Sequence, residues 1–216
     1  MKIEEKGMLS PFTIFTCIIT GGFFPLLGSF FYSLFDDKIY WNGVILTSIG
    51  GFIAHYFLAH TIHDLIHLKI EKRVTTSEKI LKILLVLSAI ILLSIAIYLA
   101  YYSGWPVIVF AIIGGITCLY AEGLIHHESQ MAFGAMFLVI GSFYVQYGYF
   151  KISIPLKAWI EVILLSLFAF FSQYGWLLFY RIDDYGWSVK KKNESILITK
   201  IGLIFLVLLF LVHSLH

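Results

Sequence analysis

The sequence predicts an all-α membrane protein, a polytopic helical bundle of about seven transmembrane helices. Three observations indicate this class. Of the 216 residues, 60% are hydrophobic and only 13% are charged, and the mean hydropathy is +0.90. Apolar stretches of about 20 residues, the length that crosses a bilayer, follow one another along the chain. A soluble domain is about half apolar and about a quarter charged, so this composition excludes a water-soluble enzyme, a disordered chain and a disulfide scaffold.

The predicted spans run near residues 11–34, 41–66, 81–102, 105–125, 131–150, 157–180 and 196–213. The first span shows no small-residue cleavage site, so we expect it to be retained rather than removed as a signal peptide. Short gaps without a flexible linker predict a single integral-membrane domain over residues 1–216. The Gly-Gly pairs at 21–22, 50–51 and 114–115 predict close helix contacts or bends.

The distribution of positive charge predicts the orientation. If the N-terminus is cytoplasmic, only Lys38, Lys151 and Lys157 of the 15 basic residues fall on the outer side. The loops after spans two, four and six then face the cytoplasm, and the C-terminus lies on the opposite side. A net charge of +2 is too small to indicate nucleic acid as a partner, which leaves the lipid bilayer and lipophilic molecules.

A stripe of ionisable residues marks the cytoplasmic end of the second span, in the segment AHTIHDLIHLKIEKR. Steps of three and four residues place its members on one helix face. They are His60, His63, Asp64, His67 and Glu71. Five metal-competent groups in a membrane segment favour a cation site, whereas one histidine alone would be better explained by a helix end that meets water. His55 lies deeper, where a packing role is an equal alternative, and Cys17 and Cys118 are expected to be inert packing residues.

Two further segments on the predicted cytoplasmic face carry similar groups. The segment AEGLIHHES contributes Glu122, His126, His127 and Glu128, and the segment after span six contributes Arg181, Asp183, Asp184 and Lys190 to Lys192. Acidic and imidazole groups can hold a divalent cation while neighbouring Arg and Lys side chains bind a phosphoryl anion. The lysine run has a simpler alternative, as an anchor that attracts anionic lipid.

The first of these segments resembles a signature of the UbiA superfamily of intramembrane prenyltransferases. HDLIHLKIE at 63–71 is similar to the NDxxDxxxD signature at the end of span two, with Asp64 retained. His67 stands in place of the next Asp, and Glu71 replaces the last. GSFYVQYG at 141–148 is similar to the GtyYvQtg segment of the menaquinone-type branch of the superfamily.

The segment after span six is similar to the second signature of the superfamily, YxxxDxxxD followed by Gly and then Ser or Thr. Tyr180, Asp184 and Ser195 match it, whereas Ser188 and Lys192 take the places of the second Asp and the Gly. The resemblance implies a bundle whose two acidic motifs face each other across a cavity that opens toward the cytoplasm and the lipid. It also implies transfer of an isoprenyl group from its diphosphate to a lipophilic acceptor.

The resemblance assigns roles to individual residues. Asp64 and Asp184 are the expected catalytic residues. The expected cation ligands are Asp64, His67, Glu71, Asp184, His63 and Asp183, with His60, His126, His127 and Glu128 as additional candidates. The expected diphosphate contacts are Lys69, Lys72, Arg73, Arg181 and Lys191. The implied cofactor is Mg²⁺, and the imidazole of His67 makes Mn²⁺, Zn²⁺ or Fe²⁺ alternatives.

Departures from the signatures leave two other functions open. Members of the superfamily usually have two further spans. A partner chain or a homo-oligomer contact is an alternative source of these two spans. A membrane metalloenzyme of the di-iron hydroxylase or desaturase type is one alternative, because His60, His63, His67, His126 and His127 gather on one face with Glu128. A non-catalytic lipid- or quinone-binding protein is the other, since two motif carboxylates are replaced.

Overall fold

The computed structural model describes residues 11–67, 76–119 and 127–215, and the elements within these ranges are helical. Two spans are interrupted by π-helical segments. The first consists of α1 (Pro11–Cys17), the segment π1 (Ile18–Phe23) and α2 (Phe24–Tyr32). The second consists of α3 (Trp41–Phe52), the segment π2 (Ile53–Ala59) and α4 (His60–His67). The remaining helices are α5 (Glu78–Ser103), α6 (Pro106–Leu119), α7 (Glu128–Phe150), α8 (Leu156–Tyr180) and α9 (Val189–Ser214), with a 3₁₀ turn at Ile182–Tyr185.

Within the described ranges, six helices are long and apolar enough to cross a membrane, which makes the chain a multi-pass membrane protein. They are Thr13–Tyr32, Trp41–Ile66, Glu78–Ser103, Glu128–Phe150, Leu156–Tyr180 and Val189–Ser214. These correspond to six of the seven predicted spans. The predicted span near 105–125 corresponds to the shorter apolar helix α6, and its last part lies outside the described residues.

Three helices begin earlier than hydropathy predicts. α5, α7 and α9 start at Glu78, Glu128 and Val189, within polar sequence that precedes each apolar run. Capping explains two of these starts. The Oγ of Ser77 accepts a hydrogen bond from the Ile80 N–H at 3.5 Å, and Nδ1 of His127 accepts one from the Ser129 N–H at 3.2 Å. A hydropathy window detects only the apolar part of a helix, whereas the cap sets where the helix begins.

Helix α7 lies at the centre of the bundle. It packs against α2, α6 and α8, and half of its membrane window is buried, compared with 17% for α5 and 22% for α9. The main core joins Tyr32 of α2, Val139 and Phe143 of α7, and Val162 and Leu165 of α8. The outer faces of α5 and α9 expose large apolar side chains, as expected where lipid is the solvent.

Neighbouring helices approach most closely at glycines. A Cβ on Gly21 of π1 would overlap the carbonyl oxygen of Gly51 in α3, and a Cβ on Gly51 would overlap that of Gly21. Small residues allow such contacts, which hold membrane helices together where burial of apolar surface supplies little driving force. The prediction of close contact is therefore confirmed for Gly21 and Gly51. It is not confirmed for Gly114 and Gly115, where a Cβ would meet no described atom within 4 Å.

A side-chain amide anchors the chain just before α3. The Tyr40 N–H donates to Oε1 of Gln146 at 2.8 Å, and Nε2 of Gln146 donates back to the Tyr40 carbonyl at 3.1 Å. Gln146 is fully buried in α7. The pair satisfies two backbone groups that begin a membrane helix, so it attaches the second span to the central helix.

The same end of the bundle holds a buried carboxylate. Glu161 of α8 is completely buried, and its oxygens lie 3.4 Å from Nδ1 of His213 and 3.8 Å from Nζ of Lys157. Lys157 also donates to the carbonyls of His213 and Leu215, at 2.9 and 2.5 Å. These contacts attach the last turn of α9 to the first turn of α8.

We expect Gly51→Ala to lower the free energy of unfolding by about 1–3 kcal/mol, because the new methyl group must separate two backbones that are in contact. Gly114→Ala is the matched control. It should be neutral or stabilising by up to about 1 kcal/mol, because Ala is the better helix former and the site is open. Circular dichroism during titration with sodium dodecyl sulfate in mixed micelles measures both. Equal effects of the two substitutions would contradict the backbone contact.

Gln146→Met should destabilise the protein by about 1–3 kcal/mol for each backbone group of Tyr40 that loses its partner. The same change at Gln130, which is half-buried near the start of α7, supplies the control and should have a small effect. The same detergent titration compares the two variants. An equal loss of stability in both would show that the Tyr40 hydrogen bonds contribute nothing specific.

Candidate functional site

One end of the bundle collects the ionisable residues, and we call it the polar end. It comprises His63 and Asp64 of α4, Glu128 of α7, and Arg181 and Tyr185 after α8. The Arg181 guanidinium lies 3.0 Å from the Glu128 carboxylate, which brings the start of α7 and the end of α8 together. Helix α9 begins a few residues later at Val189, so it starts at the same end.

Two contacts of the first span relate the depth of α4 to that of α8. The Thr20 hydroxyl donates to Oε1 of Gln173 in α8 at 3.1 Å. One turn nearer the N-terminus, Sγ of Cys17 lies 3.5 Å from Nε2 of His60, the first residue of α4. The N-terminal half of the first span thus touches both the second span and α8.

These contacts place the two motif positions at similar depth. Trp176 follows Gln173 by three residues, so it lies about level with Cys17 and therefore within about one turn of His60. Asp64 and Tyr180 each lie four residues, or about 6 Å, further toward the polar end. The helix ends that carry the two candidate signatures therefore lie at one end of the bundle, at depths that agree within about one turn.

At the first candidate motif, Nδ1 of His63 lies 3.3 Å from Oδ1 of Asp64, and the two side chains are 20% and 18% exposed. The backbone of α4 is a regular helix from His60 to His67, and over these residues it agrees with the predicted stripe. The side chain of His67 and the residues at 69, 71, 72 and 73 lie outside the described part of the chain. The roles predicted for them stay predictions.

At the second candidate motif, a buried carboxylate organises the loop. Glu128 is only 3% exposed, and one of its oxygens accepts from both Arg181 and the Tyr185 hydroxyl, at 3.0 and 2.5 Å. Nζ of Lys191 lies 4.9 Å from the Tyr185 ring centroid and 3.0 Å from Glu194. This network joins α7, the 3₁₀ turn and the first turn of α9. The predicted cation-binding role of Glu128 and diphosphate-binding role of Arg181 stay predictions, and in this structure the two groups bind each other.

The 3₁₀ turn after α8 presents Asp183, whose side chain is half-buried. The side chain of Asp184, the expected catalytic residue of the second motif, lies outside the described part. Left-handed backbone at Gly186 and Trp187, with φ of 58° and 57°, turns the chain back toward α9. The Trp187 N–H closes this turn by donating to the Ile182 carbonyl at 3.1 Å.

Several motif residues serve helix packing. Ser195 of the second signature donates to the Gly175 carbonyl at 2.6 Å and so holds α9 against α8. In the segment 141–148, Phe143 is fully buried in the core, and a Cβ on Gly148 would overlap the Ser103 carbonyl. Of the remaining candidates, His127 caps α7, and His126 lies outside the described residues.

A second cluster lies deeper in the membrane. Cys17, His55 and His60 each offer one ligand atom, and these three atoms lie within 4.8 Å of one another. Among the described residues these three could hold a metal ion together. Sequence analysis missed the cluster, since it treated Cys17 as inert and left packing as an equal alternative for His55. The spacing of the two histidines could not reveal it, because residues five apart lie about 140° apart on an α-helix.

No protein-family model, curated protein or solved structure matches the chain. The function is therefore inferred from the site.

Arg181→Met should destabilise the protein by about 3–5 kcal/mol, because it leaves the buried Glu128 carboxylate without its cationic partner. The double variant Glu128→Leu/Arg181→Met should recover most of this loss, since apolar groups of similar volume remove the buried charge. Tyr185→Phe should cost about 1.5–3 kcal/mol, the range for a hydrogen bond to a charged group. Detergent titration of the unmodified protein, these three variants and the single variant Glu128→Leu measures these values. Strictly additive effects of Glu128→Leu and Arg181→Met would argue against the ion pair.

Proposed function

We propose that the protein is a diverged UbiA-like intramembrane prenyltransferase, which transfers an isoprenyl group from its diphosphate to a lipophilic acceptor. One observation carries the proposal. The ends of α4 and α8, with Asp64 and Asp183, lie at one end of the bundle, where Arg181 and Lys191 also lie. An isoprenyl diphosphate needs oxygen ligands for its cation and basic groups for its phosphates within one membrane interface.

We assign the divalent cation of the proposed reaction to carboxylates of the polar end. Asp64 and Asp183 are half-buried carboxylates on two different elements, and carboxylate oxygen is the donor that Mg²⁺ prefers. When bound, such a cation neutralises the charge that develops on the departing diphosphate. Glu128 is already held by Arg181 and Tyr185, so the proposed ligand set does not include it.

The chain's own residues have separate tasks in the proposed reaction. Lys191 binds the phosphate oxygens from the start of α9, at the rim of the polar end. Arg181 positions the loop of the polar end through its ion pair with Glu128. The allylic carbon–oxygen bond breaks with its electrons leaving on the diphosphate, and the acceptor forms the new bond and loses a proton. His63, next to Asp64, is placed to accept that proton.

The start of α5 offers a path for the isoprenyl chain. One face of this helix begins with Glu78, Lys79 and Lys82 and continues as an exposed apolar stripe. The stripe comprises Ile83, Val86, Leu87 and Ile90. A charged head with an apolar continuation into the bilayer is the shape of an isoprenoid diphosphate. We place the polar end on the cytoplasmic face, where the excess of Lys and Arg is expected, and the C-terminus on the opposite side.

The di-iron alternative draws less support from the geometry. It requires Glu128 as an iron ligand beside the histidine cluster, whereas this carboxylate is buried and accepts hydrogen bonds from Arg181 and Tyr185. Moreover, His60 has its Nε2 next to Cys17 rather than aimed at the polar end.

We expect Asp64→Asn and Asp183→Asn each to lower cation-dependent release of diphosphate by about 100-fold or more, because each removes a charged ligand from the site of charge development. Purified protein is incubated with geranylgeranyl diphosphate and Mg²⁺ or Mn²⁺, with a polar lipid extract as the source of acceptor. Released diphosphate is measured enzymatically, and native mass spectrometry reports the bound lipid.

The control for this experiment is Asp37→Asn, which removes the same charge from an exposed site at the opposite end of the bundle and should retain activity. Undiminished release in both polar-end variants would refute the transferase. A lipid that stays bound without any cation and undergoes no chemical change would instead establish the non-catalytic alternative.

A further inference from the structure

We infer that Cys17, His55 and His60 form an intramembrane binding site for a thiophilic d¹⁰ metal ion, with Cu⁺ preferred over Zn²⁺. The site is separate from the polar end, uses different residues and does not depend on the proposed transferase activity. Its three ligands come from both of the first two spans, so a bound ion connects them.

The ligand atoms are already close to the spacing that a metal ion imposes. Bond lengths of about 2.3 Å to sulfur and about 2.0–2.1 Å to nitrogen place sulfur and nitrogen about 3.6 Å apart at a tetrahedral angle and about 3.8 Å apart at a trigonal angle. Sγ of Cys17 and Nε2 of His60 lie 3.5 Å apart. The most distant pair in the cluster is within 4.8 Å, so the remaining adjustment of about 1 Å lies within reach of side-chain rotation.

The π-helical segment π2 brings the two histidines to one side of the second span. In an α-helix, residues five apart lie about 140° apart and face different neighbours. In a π-helix the hydrogen bonds join residues five apart, which stacks such residues on successive turns. His55 lies within π2 and His60 follows its last residue, and their ring centroids are 6.2 Å apart. Single π-helical turns are rare in proteins, and those that occur often lie at functional sites.

The crossing of Gly21 and Gly51 sets the position of the cysteine. The two spans run in opposite directions and their backbones touch at these glycines. Cys17 lies four residues before Gly21, and His55 lies four residues after Gly51, so both lie on the same side of the crossing at similar depth. His60 is further along the second span, and a helical side chain tilts back toward the N-terminus, in the direction of His55.

The surroundings favour a soft, weakly charged ion. Cys17 is 1% exposed, and the ring of Tyr56 lies 6.3 Å from that of His60 and 5.3 Å from Phe52. One thiolate and two neutral imidazoles carry a single negative charge. With Cu⁺ the complex is neutral, whereas with Zn²⁺ it keeps a net positive charge, which is costly to bury in a bilayer. Thiolate and imidazole ligands suit Cu⁺, and carboxylate-bound Mg²⁺ would not compete for them.

Metal binding to the purified full-length protein tests the inference. The protein is treated with a chelator in detergent, loaded anaerobically with Cu⁺ or with Zn²⁺, and separated from free metal by gel filtration. Metal content is then measured by mass spectrometry, in competition with a chelator of known affinity for each ion. We expect one ion per chain, tighter retention of Cu⁺ than of Zn²⁺, and a higher melting temperature when the ion is bound.

Cys17→Ser, His55→Gln and His60→Gln should each abolish stoichiometric binding. Cys118→Ser and His213→Gln are the matched controls, because they remove the chain's other thiol and an exposed imidazole at the far end of the bundle, and both should bind as the unmodified protein does. Retention of one ion by Cys17→Ser, His55→Gln or His60→Gln overturns the site. Tighter retention of Zn²⁺ than of Cu⁺ overturns the copper preference.

A measurement on the unmodified chain covers the case in which a variant fails to fold. Co²⁺ bound by a thiolate gives an intense sulfur-to-metal charge-transfer absorption in the near ultraviolet, and we expect this band when one equivalent of Co²⁺ is added. The band should persist in Cys118→Ser. Absence of the band from the unmodified protein, or its loss in Cys118→Ser, contradicts ligation by Cys17.

Discussion

The backbone contact between Gly21 and Gly51 is the constraint on which the rest of the structure depends. In a bilayer, apolar side chains gain little by leaving lipid for protein, so helices associate where their backbones can approach closely. This contact sets how far the first span slides along the second. It thereby decides that Cys17 meets the histidines of π2 and α4. A shift of one turn along the second span would separate them, and it would also separate Thr20 from Gln173 of α8.

Buried polar groups hold the bundle together at three depths. Gln146 binds the backbone of Tyr40 at one end, Thr20 binds Gln173 within the membrane, and Glu128 binds Arg181 at the polar end. Lipid offers no hydrogen bonds, so each of these groups must find its partner inside the protein. The same requirement explains why motif residues such as Ser195 serve packing here. The polar residues of this chain therefore have two roles. Some hold helices together, and others are available for chemistry at the polar end.

The two candidate sites differ in the chemistry that they can support. The polar end offers half-buried carboxylates and basic side chains at a membrane interface, which suits a hard cation and a phosphorylated lipid. The deeper cluster offers a thiolate and two imidazoles among aromatic rings, which suits a soft ion with little net charge. The first span contacts both regions, because Cys17 belongs to the deeper cluster and Thr20 holds the helix that ends at the polar end. An ion in the deeper cluster would therefore restrain the span that contacts both the second span and α8.

The sequence by itself determined the all-helical membrane class, six spans that the described structure contains, and the gathering of ionisable groups at alternate helix ends. These properties depend on local hydropathy and helix length, which each segment carries alone. Only the tertiary structure decided that Glu128 pairs with Arg181 and that Cys17 lies beside His60. It also decided which face of the second span carries His55. A π-helical segment rotates the residues that follow onto another face of the helix and leaves the hydropathy of the sequence unchanged. Pairing between residues more than 40 positions apart depends on how backbones cross. The Gly-Gly pairs indicated that close contacts occur, but a local pattern does not say which helix meets which.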